Sequence, residues 1–362
     1  MKKAKNIDSP KQVVYLIGAG ATQAEVDYQG GAKINLLMKD SESLGYGVST
    51  RVLERADNLD IPIEGEKDIE KLISLLASTG TEKYRKAAER LRRLYYEVIL
   101  ESLIGTGVLD NPNLAMGLFE MHKSESFNTK VEQLTGIINL NHDNLFQVAS
   151  QKVYNSIFLG FKFWSNSFKE ERTSPLVIKL HGSFDWRSGL PIKVLKLNST
   201  TSYSKDMLWI PPTILKESKD YPYNKLMGLA YELLSKKCHV LRIVGCSLSQ
   251  NDWNMVSLLF NAQYNQYLHK GFCLRIELVM SPEACSRIIS EYSYLQNIVP
   301  IQHLTYGDFS AYKSDIKDEE IPKPSELDNP FKFWLKTKAI YHKNKGEIIV
   351  DDTMALKQIM EA

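Results

Sequence analysis

An apolar run that ends in a pair of glycines, Val13 to Gly20, limits the fold more than any other part of the sequence. Five apolar and partly β-branched side chains in succession predict a strand that is buried on both faces. The glycines allow a tight turn and a close approach to a bound group. Because the first N–H groups of a following helix favour a phosphate, the stretch predicts the first turn of a nucleotide-binding βαβ unit. Gln23 replaces the third glycine of Gly-x-Gly-x-x-Gly, so an ordinary tight turn remains an alternative.

The rest of the sequence alternates strand and helix patterns, interrupted by one long helical stretch. Four further apolar runs predict strands, and a fifth run, which contains a proline, predicts an edge strand. This alternation predicts an α/β fold with a mostly parallel, Rossmann-like sheet, helices on both faces and an inserted helical module. The predicted strands are 137–140, 176–180, 240–244, 274–279 and 298–301. The predicted helices are 25–40, with an interruption near Gly30-Gly31, and 144–158, 223–237, 252–268 and 282–292.

The same patterns divide the chain into three parts. Residues 10–40 and 131–312 form a discontinuous Rossmann-like domain. Residues 41–130 carry apolar side chains at helical spacing, which predicts the inserted module, and Asp68 is placed to cap one of its helices. Residues 313–362 form a charged tail, and its aromatic residues between 331 and 334 predict docking onto another surface or a role in assembly.

Composition and charge exclude several classes of protein. The chain has 362 residues, 43% of them hydrophobic, and a net charge of +2, which gives no overall basic field for binding nucleic acid. No apolar run approaches the roughly 20 residues needed to cross a membrane, and the N-terminus lacks the pattern of a signal peptide. We therefore expect a cytoplasmic protein. One basic cluster, 83–93, predicts a solvated helix face, with a protein or nucleic-acid partner as the alternative.

The four cysteines do not predict a metal site. Cys238, Cys246, Cys273 and Cys285 include no Cys-x-x-Cys pair, which a zinc ribbon requires. The first three lie in or beside apolar runs, where a free thiol behaves as a small buried hydrophobic group. The sequence thus predicts no zinc and a reducing compartment.

Small or polar groups directly follow four of the predicted strands. In an open α/β sheet, ligands bind beyond the carboxyl ends of the strands, so these groups are expected to converge on one site. Histidine is the one side chain among them with an ordinary pKa near neutrality, which suits a general base. The groups are Gly18-Ala19-Gly20, Asn141-His142-Asp143, His181-Gly182-Ser183 and Gly245-Cys246-Ser247.

Each of these groups also has an ordinary structural interpretation. Asn141 and Asp143 are compatible with an Asx turn that caps the following helix. His181 is compatible with a histidine that is hydrogen-bonded in a turn. Gly245 and Ser247 are compatible with a strand-to-helix turn in which the serine is the N-cap.

Taken in order, these motifs resemble the motif series of the sirtuins, over about residues 12–310. The resemblance is closest to the bacterial sirtuin-like branch found in anti-phage defence systems, in which an insertion such as 41–130 is typical. It implies a Rossmann-like domain that binds NAD as a substrate. The matching motifs are Gly18-Ala19-Gly20-Ala21-Thr22, Asn141-x-Asp143, His181-Gly182 and Gly245-Cys246-Ser247-Leu248.

The resemblance also implies roles for individual residues. Asn141 would bind the nicotinamide ribose and position a nucleophile or water. Asp143 would hold the nicotinamide carboxamide, and His181 would act as the general base. The residues implied to contact the phosphates or the adenosine end are Gly18, Ala19, Gly20, Thr22, Gly245, Ser247, Ser281 and Asp308.

Two departures from the sirtuin pattern change the expected activity. The four-cysteine zinc ribbon is missing, and the Gly-Ile-Pro-Asp-Phe-Arg segment is replaced by residues 23–28. In sirtuins the zinc module helps to form the acyl-lysine cleft, so its absence argues against deacylation, whereas NAD cleavage needs only the NAD pocket. The resemblance therefore implies an NAD glycohydrolase that depletes NAD as a defence effector. It further implies a homo-oligomer and a separately encoded partner, such as a HerA-type ATPase or a nucleotide-sensing protein. An NAD-dependent protein deacylase and a non-catalytic subunit that binds NAD or ADP-ribose remain the alternatives.

Overall fold

The fold is built on a six-stranded parallel sheet with a smaller four-stranded sheet beside it. A computed structural model describes residues 10–30, 34–56, 66–214, 220–271, 273–301, 328–350 and 354–362. In chain order the strands are β1 Lys11–Ile17, β2 Glu132–Asn139, β3 Phe163–Trp164, β4 Val177–Lys179, β5 Gly182–Arg187, β6 Ile192–Val194, β7 Met207–Trp209, β8 Val240–Val244, β9 Arg275–Val279 and β10 Ile298–Pro300.

The order of strands in the large sheet is β4-β2-β1-β8-β9-β10. Successive strands therefore run outward from β1 to one edge, and then outward from β8 to the other edge. This is the doubly wound, Rossmann-like order, and its topological switch point lies between β1 and β8. The residues from Val13 to Ile17 are fully buried, which confirms the predicted central strand.

Helices flank the sheet and form the module between β1 and β2. Four predicted helices, those of α7 to α10, are confirmed, and α8 continues into a π-helical turn at Leu233–Lys237. The helices are α1 Ala19–Gln29, α2 Val48–Ala56, α3 Ile69–Ser78, α4 Glu82–Thr106, α5 Asn113–Lys123, α6 Glu125–Lys130, α7 Leu145–Tyr154, α8 Tyr223–Glu232, α9 Trp253–Lys270, α10 Pro282–Glu291, α11 Pro330–Asn344 and α12 Ala355–Glu361.

The prediction of a first helix over 25–40 is wrong. Helix α1 begins at Ala19, directly after the strand, with Gly18 as its N-cap. It ends before Gly30, which adopts the left-handed conformation with φ of 69° and donates its N–H to Asp27 O. Glycine in this conformation is a common helix stop, so the predicted interruption near Gly30 marks the true end of the helix. The predicted start is six residues too late, and the described residues 34–40 are not helical.

The inserted module is helical, as predicted. Among its described residues, 41–56 and 66–130, no segment forms a strand. Asp68 caps α3 as expected, since its side chain accepts hydrogen bonds from the backbone N–H groups of Glu70 and Lys71. On the basic part of α4, Arg85 and Lys86 form exposed ion pairs with Glu82.

The four-stranded sheet was not anticipated from the sequence. Its order is β3-β6-β5-β7, and three of its strands are only two or three residues long. Strand β5 is buried throughout although it contains Asp185 and Arg187, so it lacks the alternation typical of a half-buried strand. Because β5 starts at Gly182, this sheet extends directly from the carboxyl end of β4.

The described parts of the tail pack against the rest of the chain. Phe331, Phe333 and Trp334 of α11 are buried, and the Trp334 ring meets Tyr15 of β1 edge to face at 6.0 Å. Helix α12 packs against α5. None of the helices in the described ranges has the length and apolarity that a membrane crossing requires.

Candidate functional site at the carboxyl ends of the strands

The turns after β1 and β8 touch at the switch point, and their contact requires glycine. Gly245 has φ of 57°, and a Cβ atom there would lie 2.2 Å from the Ala21 nitrogen. A Cβ atom on Gly18 would lie 2.5 Å from the Cys246 Cα. The Gly20 N–H donates to Gly245 O at 2.8 Å. The glycines therefore bring two backbone turns together, which leaves Ala19 exposed at the start of α1.

A chain of hydrogen bonds joins the ends of β1 and β2. The Asn141 Nδ2 atom donates to Gly18 O and to Thr22 Oγ1, both at 2.9 Å. The Thr22 hydroxyl in turn donates to Asp143 Oδ2 at 2.7 Å. The structure thus brings Asn141, Thr22 and Asp143, three of the predicted site residues, into direct contact. The Thr22 hydroxyl accepts one hydrogen bond in this series and donates the other.

Asp143 also forms the local turn that the sequence analysis offered as the alternative. Its Oδ1 accepts the backbone N–H of Leu145 at 3.1 Å, at the start of α7. Oδ1 therefore stabilises the turn, while Oδ2 accepts the hydrogen bond from Thr22 on the Gly18 side of the site. The structural and functional interpretations of this residue are compatible.

His181 lies on the far side of β2 and is held by its δ nitrogen. Nδ1 lies 3.1 Å from Leu140 O, and because a carbonyl only accepts, Nδ1 carries the proton. Nε2 is then the basic nitrogen of the neutral ring, and it lies 3.6 Å from Asp252 Oδ1. Gly182 has φ of 70°, and a Cβ atom there would lie 2.3 Å from Leu208 O of β7. The glycine after the histidine is therefore required by the second sheet.

The loop from β8 to α9 adds Asn251 and Asp252, which were not among the predicted site residues. Leu248 is buried with φ of 47°, a conformation that costs about 1–3 kcal/mol for a side chain of this kind. Tyr292 donates its hydroxyl to Leu248 O, and Asn251 donates to the Glu70 carboxylate of α3. The loop thus links the helical module to the site. Asp252 could have been recognised as a candidate because it is an acidic residue at the start of the predicted helix 252–268.

Lys179 is fully buried and lies against the backbone of Asp143. Its ammonium group donates to Asp143 O, and burial lowers its pKa despite the nearby charges of Asp143 and Asp185. Burial also raises the pKa of Asp185 to about 6, and Gln147 Nε2 lies 3.4 and 3.5 Å from its two oxygens. A lysine inside an apolar strand pattern requires a buried partner, and this was the signal that the sequence analysis passed over.

Several buried polar atoms next to Asp143 have no partner. Both polar atoms of the Asn144 side chain lack a hydrogen bond among the described residues, and so do Asn139 Nδ2 and Gln147 Oε1. An unpaired buried donor or acceptor costs about 1–3 kcal/mol, and folded proteins contain few of them. Their concentration at the end of β2 distinguishes this region from an ordinary core.

The remaining predicted residues take different places. Ser247 is exposed, and the N-cap of α9 is Asp252, so the interpretation of Ser247 as a helix cap is wrong. Ser281 follows β9, and its hydroxyl oxygen accepts the Ala284 N–H as the N-cap of α10. Asp308 lies outside the described residues. In the ranges that the structure describes, no three His, Cys, Asp or Glu side chains are grouped to hold a metal ion.

Comparison with known proteins adds no identification. No protein-family model matches the chain. A search of the curated proteins also finds no significant match.

Proposed function

We propose that the chain is an NAD glycohydrolase, which binds NAD at the carboxyl ends of the large sheet and hydrolyses the bond between nicotinamide and ribose. The observation that carries this proposal is the hydrogen-bonded series Asn141–Thr22–Asp143 next to a Rossmann-type switch point, with His181 at the end of β4 contacted by Asp252 from the loop after β8. Sheets with this topology bind their ligands at that point. The resemblance of the motifs to those of the sirtuins supports NAD as the ligand.

The reaction needs little acid catalysis because nicotinamide is a good leaving group. As the C–N bond breaks, its electron pair neutralises the pyridinium ring, and positive charge develops on the ribose. Water then adds to the ribose carbon and gives up a proton. The protein has to orient the ribose, hold the nicotinamide and accept that proton, and the described side chains offer a group for each task.

Asn141 and His181 are the proposed catalytic residues. The two bonds of Asn141 Nδ2 fix its amide plane, which leaves Oδ1 to orient a ribose hydroxyl or the water. His181 Nε2 is the proposed proton acceptor, and Asp252 is placed to stabilise the ring once it is charged. Asp143, positioned by Thr22 and supported from below by Lys179, is proposed to hold the carboxamide.

The phosphates are proposed to lie over the first turn of α1. The N-terminus of a helix favours an anion, and Ala19 is exposed there. Gly245 contacts the same turn, and the exposed Ser247 follows it by two residues, so both remain proposed contacts to phosphate or ribose. The assignments of Ser281 and Asp308 to the adenosine end rest on the resemblance alone. A role as a defence effector, under the control of a partner protein, also rests on it.

Nicotinamide release and thermal unfolding, measured on the same purified protein, test the proposal. We expect NAD to raise the melting temperature, as a ligand that binds the folded state does, and to be converted to nicotinamide and ADP-ribose without any peptide. If NAD neither stabilises the protein nor is consumed, the proposal is wrong. Release that depends on an acyl-lysine peptide would identify a deacylase instead. Stabilisation without any release would identify a binding module.

A further inference from the structure

One face of α9 is aromatic and exposed. Its five large side chains are each between 45% and 63% exposed. At 100° per residue they occupy a sector of about 100°, and the half-buried Ser257 lies within it. The opposite face of α9, with Met255 and Ala262, belongs to the core of the large sheet. The five exposed side chains are Trp253, Phe260, Tyr264, Tyr267 and Leu268.

Two neighbouring tyrosines extend this face. The Tyr294 ring meets Phe260 at 5.8 Å, and the Tyr231 hydroxyl accepts a hydrogen bond from Asn265 of α9. Both tyrosines are also substantially exposed. We define these two tyrosines, the five exposed side chains and Ser257 as the α9 surface.

The α9 surface is large enough for a stable interface. Large side chains of this type bury about 150–250 Å² each, so seven that are half exposed present roughly 500–900 Å². A standard interface buries about 800 Å² on each partner. Exposed apolar patches on monomers are usually smaller, about 300–600 Å², and the larger ones mark sites of interaction.

The absence of charge favours a second copy of the chain as the partner. The sequence from Trp253 to Leu268 contains no Asp, Glu, Lys or Arg. Surface helices ordinarily carry charged residues on their outer face, whereas interface cores are depleted of charge and enriched in aromatic side chains. A neutral face meets its own copy without repulsion, while a charged partner would call for complementary charges on this face.

The spacing along the helix is also self-complementary. The positions 253, 257, 260, 264 and 267 alternate steps of four and three residues, which is the spacing of a coiled-coil seam. If two copies pair antiparallel about a two-fold axis at Phe260, Trp253 lies opposite Tyr267. The small Ser257 then lies within one residue, about 1.5 Å along the helix, of the level of the partner's large Tyr264, and the two Phe260 rings meet on the axis.

We propose that the chain forms a two-fold symmetric dimer through antiparallel packing of the α9 surfaces. Such an interface is isologous, because each copy contributes the same patch. Asp252, which faces His181, directly precedes Trp253 in the chain, so the interface begins beside the candidate site. The proposal rests on the α9 surface and does not depend on the proposed activity.

The molar mass in solution, measured by light scattering over a range of protein concentrations, tests the dimer. We expect a dimer for the wild-type chain. Tyr264→Glu places two carboxylates in the interface and should raise the dissociation constant at least about 30-fold, the effect expected of an interface hot spot. The matched control Tyr46→Glu changes a tyrosine that is similarly exposed, 60% against 55% for Tyr264, but lies outside the α9 surface, and it should remain dimeric.

Disulfide crosslinking tests the antiparallel arrangement. Under oxidised glutathione, Phe260→Cys should crosslink to itself because it lies on the axis. Trp253→Cys should not crosslink to itself, yet it should form a mixed disulfide with the Tyr267→Cys protein. The wild-type chain gives the background from its native cysteines, three of which are buried. A monomeric wild-type chain, a Tyr264→Glu variant that dimerises normally, or a dimer in which Phe260→Cys does not crosslink would each overturn the proposal.

Discussion

The large sheet contains two buried polar clusters, and they differ in how completely their hydrogen bonds are formed. The first is centred on Arg242 of β8, which is fully buried. Its guanidinium group donates to Glu132 at 2.7 and 2.8 Å, to Glu277 at 2.6 Å and to the Tyr15 hydroxyl at 2.9 Å. The second cluster lies at the carboxyl ends of the strands, around Asp143 and Lys179, and includes the unpaired amide of Asn144.

The Arg242 cluster is closed by the C-terminal helix. Two side chains of α11 cover it: the centre of the Trp334 ring lies 4.9 Å from the guanidinium carbon of Arg242, and Lys338 donates to Glu132 at 2.9 Å. Burial opposes the ionisation of Glu132, but the two cations hold its pKa well below the usual value. Complete pairing of buried charges beneath a helix indicates a structural role. The incomplete pairing at the strand ends costs stability with no structural gain, which is more typical of a functional site than of an ordinary core.

Arg242→Met should give the largest loss of stability of the variants considered. It leaves Glu132 and Glu277 buried with less compensating charge, and breaking a buried ion pair costs about 3–5 kcal/mol. Urea unfolding measures the effect. The matched control is Arg55→Met, which removes an exposed pair with Glu101 and should cost less than about 1 kcal/mol. Equal losses in the two variants would show that the Arg242 cluster does not stabilise the fold.

The two clusters should respond to pH in opposite directions. Burial lowers the pKa of His122, which contacts Tyr15, to about 4. The unfolded chain therefore binds more protons between about pH 6.5 and 4, and the stability that depends on neutral His122 is lost as the pH falls through that range. Asp185 has its pKa raised to about 6, so the folded state binds more protons between about pH 4 and 6. Its contribution is lost as the pH rises through that range.

Unfolding free energies measured at several pH values separate these contributions. Relative to the wild-type chain, His122→Gln should gain stability as the pH falls from about 6.5 to 4, and Asp185→Asn should gain stability as the pH rises from about 4 to 6. Each pKa shift is about two units, which corresponds to roughly 3 kcal/mol over the full range. Stability differences that do not change with pH would contradict the assigned protonation states.

Asn144→Leu should change stability least. The substitution removes a buried amide that has no partner while it keeps a similar shape, so the free energy of unfolding should stay the same or rise by about 1 kcal/mol. The stabilisation that NAD provides should fall if this amide pairs with the ligand. The matched control is Gln263→Leu, because Gln263 is a buried amide that bonds to Leu274 O and to Gln296. That variant should lose about 1–3 kcal/mol.

If Asn144→Leu were as destabilising as Gln263→Leu, the two amides would be equivalent structural groups. The distinction between a completed and an incomplete cluster would then fail.

The sequence predicts the strands of the large sheet well, because short stretches of sequence determine them. The central strand β1 carries a continuous apolar run, β8 is apolar except for Arg242, and each is followed by a glycine that the contact between the two turns requires. The polar groups at the strand ends could be predicted because parallel topology brings those ends together. The start of α1 could not be predicted from apolar spacing, because it is set by Gly18 as a cap.

The sequence does not predict the partners of the buried charges. Arg242 and Glu132 are 110 positions apart, and Lys179 reaches the backbone of Asp143 from a different strand. A charged residue in an apolar strand indicates that a partner exists, but tertiary packing determines which one. The same holds for the loop that carries Asp252 to His181, because its path depends on Leu248 in an uncommon backbone conformation.

Nicotinamide release by His181→Ala, with the melting temperature measured on the same preparation, tests the central claim most directly. We predict a loss of about 10²–10⁴-fold in rate, the typical effect of removing a general base, in a protein that remains folded and is still stabilised by NAD. Asn141→Ala should lose activity to a comparable extent, because the ribose and the water are no longer oriented. The matched control, His269→Ala, changes an exposed histidine of α9 and should keep full activity. A His181→Ala protein that melts at a lower temperature but releases nicotinamide at the wild-type rate would contradict the account.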